Sequence, residues 1–342
     1  MLHYVTRELH DYTIDAFLSA YRTARGVLPV AVRPISYETL LAVKRAPIGN
    51  YLFTDLDRLS GFEIDAASEI AKAVHAAEPR AMISNWPNQV LGRYALLRRL
   101  HEVGINSFGV WRLDEARLPT SYPVFIRREQ DALGPETPLL HSEGEYCAAV
   151  EELQNAGKGL VGRIAVQFCQ QPDENGIYRK YGAFFFRGRV VPQHLFLSPT
   201  WIVKRSSMDL TPDMIAEEER YVFDNPHADQ LRAIFELAKT DFGRIDYAMV
   251  DGRITVFEIN TNPTFPSSLA RQDGRQRRRK HVLDSVVQGF DALDPPGVRP
   301  GLVRFKSPKP KLHRLRDRST RRRLGDLASG YKWRLLALLG RP

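Results

Sequence analysis

Cysteine is nearly missing from this chain of 342 residues: Cys147 and Cys169 are the only two. A pair so far apart makes neither a disulfide framework nor a zinc cluster, and the nine histidines show no metal-ligand spacing. No window approaches the roughly 18 uninterrupted apolar residues of a membrane span. The opening "MLHYVTRELHDYTIDAFL" mixes acids, bases and apolar residues, unlike the apolar core of a signal peptide or the acid-poor run of a transit peptide. No Gly-x-Gly-x-x-Gly follows a strand-like run, so a dinucleotide fingerprint is also missing. These absences predict a reduced, cytoplasmic protein without structural zinc. The chain is too long for one simple core and suits two or three packed lobes.

Positive charge is present but local. The net charge is +9, yet residues 301–342 carry thirteen Lys or Arg against two Asp, which is +11 and leaves −2 for residues 1–300. The body is not basic and the tail is. As a solvated appendage or a strap the tail needs no partner; anionic membrane binding, with Trp333 and the leucines after the arginines, is a second reading. Salt-dependent nucleic-acid binding is a third.

The first hundred residues alternate short apolar runs ("VLPVAV", "NYLFTDL", "RAMISN") with helix-like stretches such as "DAASEIAKAVHAA". That rhythm predicts β-α units around a small, mostly parallel sheet. "NQVLGRYALLRRLHEVGINSF" follows as an amphipathic helix with Leu91, Ala95, Leu96, Leu100 and Val103 near one face and Gly104 as its stop. A second lobe from about Trp111 holds the strand "YPVFIRRE", a helix over "EYCAAVEELQNAG", the strand "RIAVQFC", and a hairpin turning near Arg187 and Gly188. A helix from Pro212 to Phe223 is capped by Thr211, and the next has Pro226 in its first turn. "DPPGVRPG" reads as a linker.

Chemistry concentrates in "GRIDYAMVDGRITVFEINTNPTF", Gly243 to Phe265. It reads as strand, Asp-Gly turn, strand and an Asn-Pro stop, with Asp246, Glu258, Asn260 and Asn262 among residues that want burial. A two-residue Asp251-Gly252 turn mixes acids and aromatics on both faces. A three-residue loop, Val250-Asp251-Gly252 with a bulge, puts Ile245, Tyr247, Met249, Thr255, Phe257 and Ile259 on one face and Asp246, Val256, Glu258 and Asn260 on the other. The second register separates core from chemistry and is the one predicted. It brings together two carboxylates and an amide oxygen, an all-oxygen set suited to Mg²⁺.

In type, order and spacing, these residues resemble the ATP-grasp superfamily. In that family an acidic residue on the penultimate strand and a Glu-x-Asn on the last hold the magnesium ions of ATP, with a proline soon after. Asp246, Glu258 twelve residues on, Asn260 and Pro263 are similar to that pattern. Arg244 sits where carboxylate-amine ligases such as the D-alanine:D-alanine ligases carry an Arg near the transferred phosphate. The resemblance extends through residues 80–290, and ribosomal-protein glutamate ligases are similar in the same way. Arg93 takes the place of a phosphate-binding Lys or Arg, and Arg127 in "YPVFIRRE" that of the nucleotide-binding Lys. Gln167, Phe168 and Cys169 occupy the hinge that lines adenine, Asp173 or Glu174 the ribose position. Arg179 or Lys180 corresponds to the cation that leads a strand toward the phosphates. Arg93, Arg127, Arg179 and Lys180 also have an ordinary reading as surface ion pairs. His194 and Lys204, in "PQHLFLSPTWIVK", are read as structural before substrate-binding.

Two departures stand out. Arginines replace lysines, which keeps charge but presents a planar fork in place of a point. The loop "EQDALGPETPLL" has only Gly134 where many relatives have several glycines.

The resemblance implies an α/β (α+β) fold with a Rossmann-like N-terminal lobe (1–110), a small ATP-grasp lobe (111–205), a C-terminal lobe with the magnesium site (206–291) and a linker with basic tail (292–342). It implies an ADP-forming, Mg²⁺-dependent ligase that uses ATP to join a small-molecule or peptide carboxylate to an amine or thiol through an acyl phosphate. A small-molecule kinase on the same scaffold and a non-catalytic nucleotide- or polyanion-binding module remain as alternatives.

Overall fold

The computed structural model describes residues 1–306 except 26–30, 116, 132, 205, 207 and 267–274. At the N-terminus the order is β1 (Leu2–Thr6), α1 (Tyr12–Arg25), β2 (Val32–Ser36), α2 (Tyr37–Leu40), β3 (Arg45–Ile48), β4 (Asn50–Phe53), α3 (Gly61–Ala77) and β5 (Ile83–Ser84). Strands β2-β1-β4-β5 form a parallel sheet. Every residue of β1 is buried, as expected of a strand covered on both faces. Leu2, Tyr4 and Leu52 face the core shared with the rest of the molecule, while Val5, Tyr51 and Phe53 meet Ile70 and Val74 of α3. Helix α3 starts at a capping box: Ser60 accepts from the Glu63 N–H, and Glu63 accepts from the Ser60 N–H.

Helix α4 (Arg93–Glu102) begins later than its periodicity predicts, because Gly92 is extended and acts as N-cap. The later start rotates the buried stripe onto Tyr94, Leu96, Leu97 and Leu100, leaving Ala95 and Val103 exposed. Strands β6 (Val110–Arg112), β7 (Val124–Arg128) and β8 (Arg163–Gln167) form an antiparallel sheet in the order β6-β8-β7. Helix α5 (Glu143–Asn155) covers one face through Tyr146, Ala149 and Leu153. On the other face Ile164 and Val166 meet Tyr94, Leu97 and Phe108.

The third sheet is antiparallel, in the order β10-β9-β11-β12: β9 (Tyr178–Phe186), β10 (Arg189–Ser198), β11 (Phe242–Val250) and β12 (Arg253–Asn260). Arg187 and Gly188 form the two-residue turn of the first hairpin, both at positive φ. Helix α6 (Pro212–Asp224) is capped by Thr211, whose hydroxyl accepts from the Met214 N–H. Helix α7 (Ala228–Leu237) takes His227 as its N-cap, so Pro226 lies before the helix and not in its first turn; Asn225, left-handed at the end of α6, uses Pro226 and His227 to complete the bend. Helix α8 (Gln276–Asp291) closes the core with Val282, Val286 and Phe290.

Within the stretch expected to be linker and tail, β13 (Gly301–Arg304) pairs antiparallel with β3. The tail beyond residue 306, with Trp333, lies outside the described residues, as do residues 27–30 of "VLPVAV" and 271–274 of the basic run before α8. No described helix is long and apolar enough to cross a membrane.

The register of the β11–β12 hairpin differs from the predicted one. Val250 pairs with Arg253, which leaves a two-residue Asp251-Gly252 turn with φ of 49° and 73°. Two consecutive positive φ values match the primed turns whose twist suits a hairpin, and Asp-Gly is among the pairs that adopt them most readily. The bulge lies inside β12: Asp246 pairs with Glu258 but Tyr247 pairs with Val256, so Phe257 is the extra residue. Val256 and Ile254 therefore join the core face with Tyr247 and Met249, and Thr255 moves to the opposite face beside Ala248.

Candidate active site

The bulge does what the predicted loop was expected to do. It slips the register by one residue midway along the hairpin, which sets Arg244 opposite Asn260 and Asp246 opposite Glu258 on one face. Directly opposed residues have Cβ atoms about 4.5–5.5 Å apart, so the two carboxylates share one small space. One strand over, Gly182 pairs with Asp246 on one side and His194 on the other. Lys180, two residues before Gly182, projects on the same face.

A cavity of about 160 Å³ lies between the sheet of β7 and β8 and the sheet of β9, β11 and β12. Arg93, Arg127, Gln167, Phe168, Cys169, Lys180, Asp246 and Glu258, all singled out from the sequence, line it. Lys204, read as structural, lines it too, and donates to the Leu133 carbonyl at 2.7 Å. Trp201, Phe108, Phe125 and Phe257 were not foreseen. Trp201 sits in an irregular segment with no motif, and Phe257 is turned into the cleft by the bulge. The Trp201 ring lies 5.2 Å from Phe125 and 5.4 Å from Phe168, forming an aromatic wall beside Cys169.

Both carboxylates are held by cations. Asp246 accepts from Lys180 Nζ and Arg244 Nε, each at 3.0 Å. Glu258 accepts from Arg93 and lies 3.7 Å from Arg127. Burial alone would push the pKa of Asp246 up, but Arg244 and Lys180 outweigh it and the net shift is down. For Glu258, burial and the charge of Asp246 push up, and Arg93 and Arg127 again bring the value below normal. Burial, followed by repulsion from Arg93, lowers Arg127 to about 10, which leaves it charged at neutral pH. Burial pushes the Cys169 thiol up to about 11.

The loop after β7 also engages these arginines, through its carbonyls. Arg93 Nη1 donates to the carbonyls of Glu129 at 2.6 Å and Asp131 at 2.9 Å, and Arg127 donates to Asp131 at 3.1 Å.

Five sequence candidates, Asp173, Glu174, Arg179, Arg244 and Asn260, lie outside the cavity lining. Arg179 pairs with Asp173 at 2.5 Å and Glu217 of α6 at 2.7 Å, while Asp173 also accepts from the backbone of Asn175 and Ile177. Glu217 and Asp173, both at hydrogen-bond distance, raise the Arg179 pKa and tie its side chain to α6 and the turn at Asp173. Glu174, in the same turn, is exposed. Asn260 stands on the carboxylate face, its Oδ1 accepting from the Asn262 N–H at 2.9 Å. Arg244 reaches the site through Asp246. At the end of β8, Gln167 N–H and Phe168 N–H are bonded to the carbonyls of Gly109 and Pro123.

Among the described residues, no group of three or more His, Cys, Asp or Glu could hold a metal ion. Asp246, Glu258 and the Asn260 amide fit a different case: magnesium is commonly bound by one or two carboxylates and completes its shell with water and phosphate oxygens. The donor set is hard oxygen throughout and both carboxylates are kept ionised.

No family model matches the chain, and no curated protein matches it by sequence. Solved structures are similar to it in fold. A D-alanine-D-alanine ligase from Bacillus anthracis complexed with ATP is 11% identical, with a TM-score of 0.47 over 85% of this chain and 98% of that one. A RimK domain protein ATP-grasp from Sphaerobacter thermophilus is 13% identical, with a TM-score of 0.47 over 84% of this chain and 98% of that one. An L-amino acid ligase from Bacillus licheniformis is 13% identical, with a TM-score of 0.45 over 86% and 74%. The likeness is in the arrangement of helices and several sheets.

Proposed function

We propose that this chain is an ATP-dependent ligase that joins a carboxylate to an amine or thiol through an acyl phosphate. The observation that carries the reading is the meeting of Arg93, Arg127, Lys180 and Lys204 with the Asp246–Glu258 pair in one cleft beside an aromatic wall. Four cations against two carboxylates leave positive charge for a polyphosphate, and Phe168, Trp201 and Cys169 offer a flat, apolar slot for a base.

On binding nucleotide, Arg93 and Arg127 exchange the Glu258 carboxylate and the loop carbonyls for phosphate oxygens, which they contact as forks. A carboxylate oxygen of the substrate attacks the γ-phosphorus, and the bond from that phosphorus to the β,γ-bridging oxygen breaks, releasing ADP. The amine nitrogen then attacks the acyl carbon, phosphate leaves, and the nitrogen loses its proton. Arg244 places positive charge beside the transferring group. Magnesium held by Asp246, Glu258 and Asn260 would offset charge on the phosphate oxygens.

ADP release across pools of amino acids, peptides and sugar acids, each with and without an amine or thiol acceptor, tests the reading. Acceptor-dependent ADP and phosphate with an amide or thioester product are expected. A stable phosphorylated product without a new amide moves the assignment to a kinase. ATP binding with no turnover on any pool leaves a nucleotide-binding module.

A further inference from the structure

Asn262 follows the proposed metal ligand Asn260 by two residues, and its backbone N–H donates to the Asn260 Oδ1 at 2.9 Å. Its side chain is gripped from the far end of the sequence. Oδ1 accepts from the hydroxyls of Tyr4 at 2.7 Å and Thr13 at 2.8 Å. Nδ2 lies within hydrogen-bond distance of three acceptors: the Asp55 carboxylate at 3.0 Å, the Thr6 hydroxyl at 3.2 Å and the His10 carbonyl at 3.2 Å. A primary amide has two N–H donors and two acceptor lone pairs, so this one is saturated and held in one orientation. Thr261 adds a bond from the same turn, its hydroxyl accepting from the Leu56 N–H at 3.3 Å.

These partners lie in β1 (Tyr4, Thr6), in the segments that follow β1 (His10) and β4 (Asp55, Leu56), or at the start of α1 (Thr13). Asp55, 1% exposed, keeps its charge because His10, Thr6 and Arg58 outweigh the effect of burial. The parallel sheet therefore holds Asn262, and Asn262 aims the amide oxygen of Asn260. One lone pair of that oxygen is taken by the N–H, and the other remains for a cation. A ligand whose rotamer is set on folding does not have to be ordered when the ion arrives.

We propose that Asn262 is a positioning residue through which the N-terminal lobe sets the metal affinity of the site. The proposal rests on the reading of Asn260 as a ligand. The test uses the full chain, Mn²⁺ as the probe and a non-hydrolysable ATP analogue without acceptor, with free Mn²⁺ followed by electron paramagnetic resonance. Partners that orient a ligand typically alter metal affinity by roughly 10–100-fold, so Asn262→Ala should raise the Mn²⁺ dissociation constant within that range. Tyr4→Phe, which leaves Thr13 on the amide oxygen, should raise it less, and metal-free binding of the analogue should stay at the parental level. Asn260→Ala serves as the reference. If it weakens Mn²⁺ binding while Asn262→Ala and Tyr4→Phe bind like the parent, the positioning role is overturned and the ligand assignment stands. If Asn260→Ala itself binds Mn²⁺ like the parent, the ligand assignment fails and the positioning role with it. Should Asn262→Ala not fold, Tyr4→Phe and Thr13→Ala decide: parental Mn²⁺ affinity in both overturns the role.

Discussion

Replacing Asp246 with asparagine keeps the shape of the side chain and removes its charge, stranding Lys180 and Arg244. Both cations lie 3.0 Å from the carboxylate, and their side chains are only 15% and 16% exposed. Removing one partner of a buried pair commonly costs 3–5 kcal/mol; because both cations retain some water, the loss here should be about 3 kcal/mol. Urea unfolding at neutral pH measures it. The double variant Asp246→Asn, Lys180→Met removes one of the two stranded charges and should recover about 1–2 kcal/mol. Turnover should not recover with stability: both variants should release ADP at on the order of one-hundredth of the parental rate or less. Acid supplies a further check. The folded pKa of Asp246 lies below its unfolded value of about 3.9, so its contribution is present above roughly pH 4 and is lost as pH falls toward the folded value. The stability gap between parent and Asp246→Asn should therefore close in acid. A change in unfolding free energy within about 0.5 kcal/mol, the range of an ordinary surface substitution, or parental turnover in Asp246→Asn, would refute the reasoning.

Three further outcomes are expected. A Cβ at Gly182 would sit 2.4 Å from His194 Cε1, and that ring is backed by Phe196 at 3.7 Å, so Gly182→Ala should cost about 1–3 kcal/mol in urea unfolding. His194→Ala in the same chain should recover part of it, and an unchanged midpoint for Gly182→Ala contradicts the packing. With the Cys169 thiol pushed up to about 11 and Cys147 exposed, a thiol reagent near neutral pH should titrate one group in the native chain and two after denaturation; two fast native thiols would be the contrary result. Asp251 has φ of 49°, so Asp251→Val should lose about 1–2 kcal/mol while Asp251→Gly is tolerated, and a neutral Asp251→Val would argue against the two-residue turn.

Much of the third sheet was legible because its signals are local. The Arg187-Gly188 turn and the Thr211 cap each depend on groups within a few residues of one another. The site was legible in composition and spacing, since Asp246, Glu258 and Asn260 had to share a face for their burial to make sense. The route to that face was not. Face alternation favoured one bulge at the loop, but the Asp-Gly pair takes the tight turn and the extra residue moves to Phe257, a choice made by packing along the whole strand.

By itself the sequence determined which residue types would meet: apolar alternation names the core face, and the two strand acids and the asparagine name an oxygen site. Only the tertiary structure decided the partners. Arg93 and Arg127 go to Glu258, Lys180 and Arg244 to Asp246, while Arg179 is drawn away to Asp173 and Glu217. Asn262 is bound to Tyr4 and Thr13, about 250 residues earlier in the chain. Cations of equal charge are equivalent in a sequence. They become different when folding sets their distance to a carboxylate and removes the water between them, because Coulomb attraction depends on both.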